Sequence, residues 1–144
     1  MQRVPVGPID ANAPALPVMN ILELTLPIRT TNPLNGGFGN TRVAAIIKAK
    51  HRAAHRNVTR MYVIAEMKAR GLSPCDLVPC VVSLTRTSAG KMDDDGLAAS
   101  CKGIRDGIAD ALHINDGGRF VRWLYAQRKG PQKHFAIEVR IARA

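Results

Sequence analysis

The sequence predicts a single α+β domain, a mixed sheet packed by two helices in the order β-α-β-α-β-β. Three observations carry this. Four segments alternate apolar and polar residues with the two-residue period of a half-buried strand. Two longer segments repeat apolar residues at helical spacing. The 144 residues, 46% hydrophobic and 22% charged, are enough for one domain with its own core and unlike a disordered chain.

Residues 1–19 are rich in Pro and Ala and are expected to form a flexible arm ahead of a domain over 20–144. The arm lacks the continuous apolar core of a signal peptide, and no apolar run is long enough to span a bilayer. A cytoplasmic chain with no membrane partner is therefore expected. In residues 20–28, Leu22, Leu24, Leu26 and Ile28 share one face while Glu23 and Thr25 take the other, which makes the first strand. Residues 29–40 carry the Asn, Gly and Pro of a loop. Thr41 to Arg70 form the longest helix, stopped by Gly71 and Pro74, with Val43, Ile47, Ala54, Val58, Met61 and Ala65 as its apolar face.

Residues 77–87 are the second strand, with Val78, Cys80, Val82 and Leu84 pointing one way and Pro79 suggesting a start at a sheet edge. Residues 96–112 are the second helix, with Leu97, Cys101, Ile104, Ile108 and Leu112 on one stripe. Gly117 and Gly118 break the chain before a third strand over 119–127. Its Val121, Trp123 and Tyr125 face one way, as core or, alternatively, as a platform for stacked bases. The fourth strand, 134–142, turns Phe135, Ile137, Val139 and Ile141 inward and Glu138 and Arg140 outward. The linker KGPQK between the last two strands suits a hairpin. Cys75, Cys80 and Cys101 are an odd set with no second pair to complete a zinc site, and buried reduced thiols are expected.

Charge narrows the function. The chain carries a net +10, yet six of its eleven acids lie between Asp93 and Asp116. Outside that block, nineteen Lys and Arg stand against five acids. A polyanion is attracted to most of this surface and repelled by one spot, unless a divalent cation neutralises it. Asp93 and Asp95 are two apart and can share a cation from an extended segment, with Asp116 joining through the turn after the second helix. Read as one continuous helix, Asp95, Lys102 and Asp106 form a ridge opposite the apolar stripe. The competing reading is plain: Asp93, Asp94 and Asp95 cap the helix, and Lys102 and Asp106 are an i,i+4 pair.

The first helix carries eight Lys and Arg against one acid, Glu66. Lys48, Arg52, Arg56 and Arg60 repeat every four residues, a costly pattern for a helix and a suitable one for tracking phosphates. A solvated basic face with no partner is the alternative. Lys91, just before the acid block, adds to the candidate DNA contacts. His51 and His55 lie alongside, but HRAAH lacks the glutamate of a zinc protease.

From Val81 to Ile141 the chain resembles the RusA-type Holliday junction resolvases of phages and prophages. The resemblance rests on VVSLTR, KMDDDGL, a helix with Lys102 ending DGIADAL, the turn IND, and the strands RWLYAQRKG and FAIEVRI. LPIRT, NPLN and KAKHRAAHR extend it loosely toward residue 20. It implies a homodimeric, magnesium-dependent endonuclease that resolves branched DNA. On that basis Asp93, Asp95 and Asp116 are the metal-binding catalytic aspartates and Lys102 the catalytic lysine. Gly96 stands where the family's D-x-D-N pattern has Asn, Asn115 replaces the first Asp of its D-D turn, and Lys102 lies three residues further along. A DNA-binding protein of the same fold with weakened or lost cleavage, and a basic structural or accessory protein of a phage, are the alternatives.

Overall fold

Alternation along the chain builds the sheet. The computed structural model describes residues 21–31 and 42–144, so the expected N-terminal arm and most of the following loop lie outside the described residues. The strands are β1 (Ile21–Leu26), β2 (Cys80–Ser88), β3 (Val121–Lys129) and β4 (Ala136–Arg143). The helices are α1 (Arg42–Arg70), α2 (Pro74–Leu77), α3 (Asp94–Ser100) and α4 (Lys102–Leu112). The result is an α+β domain with a mixed four-stranded sheet.

Sheet order is β1-β4-β2-β3, with β4 antiparallel to both neighbours and β3 parallel to β2. The register stacks inward residues in rows across the sheet. One row runs Leu22, Ile141, Val82, Trp123, and the next Leu24, Val139, Leu84, Tyr125. The third runs Leu26, Ile137, Arg86, Gln127, so it turns polar at its far end. Trp123 and Tyr125 pack against the core, as the first reading of that strand expects.

The expected hairpin between the last two strands does not form. Residues after β3 cross the end of β2 instead, and β4 enters between β1 and β2. Gly130 permits that crossing: its N–H donates to Ser88 O at 3.0 Å, and a Cβ there would meet Thr87 Cγ2 at 2.6 Å. Nor does β2 lie at an edge; Pro79 precedes an interior strand, at a position where its missing N–H is not needed by the ladder.

The second helix is two. At Cys101 the backbone leaves helical geometry (φ −94, ψ 4) and its N–H bonds to the Ala98 and Ala99 carbonyls, ending α3 before α4 begins. The ridge Asp95–Lys102–Asp106 therefore does not run along one axis.

The face by which α1 packs also differs from expectation. Val43 and Met61 are 65% and 64% exposed, while Ala44, Thr59, Val63 and Met67 are buried. The cause lies in α4. Gly103 and Gly107 bring the two helices into backbone contact: a Cβ on Gly103 would stand 2.6 Å from Arg52 O, and one on Gly107 2.5 Å from Arg56 O. Such an approach needs small residues rather than large apolar ones. Cys80 and Cys101 are buried free thiols, but Cys75 is exposed, on the short helix α2. Burial pushes the Cys80 thiol up to about 11.

Candidate nucleic-acid interface and acidic cluster

The close packing of α1 on α4 creates a groove of about 310 Å³ beside the α3–α4 junction. Lys48, His51, Arg52 and His55 line it from α1, and Lys102 from α4. Its floor is small: Ala45, Ala49, Ala99 and Gly103. Among the described residues, no carboxylate lines it. Burial, with His51 adding to it, lowers the affinity of His55 for a proton, against a backbone hydrogen bond involving Arg29. The groove thus has the chemistry to receive a phosphate.

The basic helix is not uniform. Arg56 donates two hydrogen bonds to Asp110, at 2.6 and 2.8 Å, which hold the Asp110 carboxyl below the usual range. Arg60 adds its charge to the same carboxylate. Lys48 and Arg52 face the groove instead. Lys91 is exposed in the turn before α3.

The acids separate into two places. Asp93 is the N-cap of α3, its Oδ1 accepting from Gly96 N at 2.8 Å, and Asp94 and Asp95 occupy the first turn. The capping reading of these residues is therefore the one observed. Asp116 lies elsewhere. His113 closes α4 in the left-handed conformation (φ 57), and Asn115 Oδ1 accepts from Gly117 N at 3.0 Å to form an Asx turn. This bend returns Asp116 along α4, where Trp123 Nε1 fixes its carbonyl at 2.7 Å. Lys102 Nζ then reaches Asp116 Oδ2 at 2.7 Å and Asp106 Oδ1 at 2.8 Å, and Arg105 meets the same Asp116 oxygen at 3.2 Å. These contacts depress the Asp116 carboxyl, the Lys102 bond first, and raise Lys102, the Asp106 bond first.

Carboxylates are the donors magnesium prefers, but among the described residues no group of three or more His, Cys, Asp or Glu is placed to hold a metal. The expected convergence of Asp93, Asp95 and Asp116 is absent from this arrangement. The two ends of the acid block are tied to β3 separately. The chain at Met92 is tied to Gln127 and the chain at Asp116 to Trp123. These are four residues apart on β3, about 13 Å at the rise of a strand. The donor chemistry fits the ion, and in this arrangement the three carboxylates are not gathered around one point.

Sequence reasoning missed Arg86, Arg105, Asp110 and Gln127. The signal for two of them was present: Arg86 and Gln127 continue the inward alternation of their strands with polar side chains. No protein-family model and no curated protein matches the chain. No described helix is long and apolar enough to cross a membrane.

Proposed function

We propose that the protein is a structure-selective endonuclease for branched DNA, of the RusA type, working as a homodimer with magnesium as cofactor. The observation that carries this reading is the basic groove between α1 and α4, which opens beside Lys102 and the Asp106–Asp116 pair it holds. Lys48 and Arg52 attract the phosphate backbone. Lys102 stands where it can meet a phosphate oxygen in the groove as well as the carboxylates. The exposed apolar stripe of α1, including Val43, Val58 and Met61, supports the homodimer.

A second reading, DNA binding without cleavage, is favoured by one specific feature. Asp116 is neutralised by Lys102 and Arg105, and Asp93 is engaged as a cap. One assay separates the two: a labelled four-way junction and a linear duplex of equal length, with magnesium or with chelator. The endonuclease reading expects magnesium-dependent cuts in the junction, lost in Asp95→Asn while junction binding persists. Binding of the junction with no cuts at any magnesium concentration selects the second reading, and equal weak binding of both DNAs removes both.

A further inference from the structure

The polar end of the third inward row of the sheet stands out. Arg86 is only 8% exposed, and its partners among the described residues are neutral. Its Nε donates to Thr30 Oγ1 at 3.0 Å, and its Nη1 to Gly90 O at 2.7 Å and Gln127 Oε1 at 3.5 Å. None of the ion pairs among the described residues includes it. Burial accordingly pushes the guanidinium below its ordinary range. Sinking a charge without a counterion is costly, and apolar residues in such a row are often as stable or more so. The two preceding rows are built of aliphatic and aromatic side chains with no charge among them, so the sheet itself does not require this pair.

What the pair does is local. Gln127 accepts from Met92 N at 2.9 Å and donates from Nε2 to Met92 O at 2.7 Å. Arg86 holds Gly90 O on the other limb of the same turn. The residue after Met92 is Asp93, which caps α3 through Gly96. We infer that Arg86 and Gln127 are positioning residues that set the Asp93–Asp95 turn, acting through Gly90 and Met92 rather than on any ligand. That these aspartates serve cleavage rests on the endonuclease reading; that the turn is set from β2 and β3 does not.

The test is native-state amide exchange in Gln127→Met, which keeps the side chain's length and removes both bonds to Met92. The Gly96 amide, bonded to Asp93 rather than to Gln127, is the deciding probe, with Leu84 in the sheet as reference. Exchange at Gly96 should accelerate about tenfold beyond any change at Leu84, marking a local opening. Unchanged Gly96 protection, or an equal rise at Gly96 and Leu84, overturns the inference. Should Gln127→Met fail to fold, Thr30→Val, which removes only the acceptor of Arg86 Nε, is read the same way with a threshold of about threefold. In parallel, single-turnover junction cleavage should slow in Gln127→Met with junction affinity unchanged. If the wild-type protein does not cut, the endonuclease reading fails, and Gly96 exchange still decides the positioning role.

Discussion

Lys102 and Asp116, fourteen residues apart, meet at 2.7 Å because the bend after α4 turns the chain back on the helix. The bond depresses Asp116, and the Asp106 bond together with this one raises Lys102. A depressed carboxyl stabilises the fold above its unfolded pKa of about 3.9 and loses that contribution as pH falls through the folded value. A raised lysine stabilises below its unfolded pKa of about 10.4 and loses that contribution as pH rises through the folded value. Lys102→Met should therefore cost stability evenly between about pH 5 and 9, by a few tenths to about 1 kcal/mol, since Lys102 is partly exposed. The deficit should close at both extremes. Carbon-detected titration of Asp116 should show its midpoint moving up in the variant. A midpoint that stays put would assign the depression to Arg105 instead.

The contact between Gly107 and the Arg56 carbonyl predicts a sharp contrast among glycines. Gly107→Ala forces two helix backbones apart, since the added carbon would lie 2.5 Å from that oxygen. A cost of about 1–3 kcal/mol is expected, as for other overpacked sites. Gly90→Ala has nothing within 4 Å of the new carbon and should stay within about 0.5 kcal/mol of wild type. Urea unfolding of both variants checks this. Equal midpoints would mean that α1 and α4 slide apart without penalty.

Much of the fold was legible because strands announce themselves by alternation. Leu22–Leu24–Leu26 and Ile137–Val139–Ile141 lie where the pattern puts them, within a residue or two. Strand order was not legible. The short KGPQK linker has the length of a hairpin, and only the burial of Ala136 and Ala142 on the second face of β4 marks an interior strand. The packing face of α1 was hidden for a related reason: the contacts at Gly103 and Gly107 are made by the backbone of Arg52 and Arg56 and by Thr59, which carry little hydropathic signal. The acid cluster was visible as composition, but its division into a cap and an ion-paired carboxylate depends on where β3 ties each end.

Within the basic helix, the structure ranks the residues. Arg52→Ala and Lys48→Ala should each weaken DNA binding and lower the slope of log K against log salt by about 0.9 per lost contact on duplex. Arg56→Ala should change the slope less, because Arg56 is already committed to Asp110. Fluorescence anisotropy over a salt series measures all three. Equal slope changes would show that Arg56 leaves Asp110 when DNA arrives, and none at all would make the helix a solvated face.

The stripe Val43, Ile47, Ala54, Val58, Met61 and Ala65 keeps helical spacing along α1, and Val43, Val58 and Met61 are exposed. A chain with net charge +10 resists self-association, so pairing needs apolar contact to outweigh repulsion. On the homodimer reading the stripe supplies it, and a charge at its most exposed large residues removes it. Met61→Glu should then weaken dimerisation by about 2 kcal/mol or more, roughly 30-fold in Kd. Thermal stability at concentrations where the wild-type protein is monomeric should be little changed, because Met61 makes no core contact there. Sedimentation equilibrium over a range of concentrations is the measurement, at high salt so that charge repulsion is screened. A wild-type protein that stays monomeric at high concentration would free this stripe from the homodimer role. A variant that dimerises as well as wild type would move the interface elsewhere on the domain.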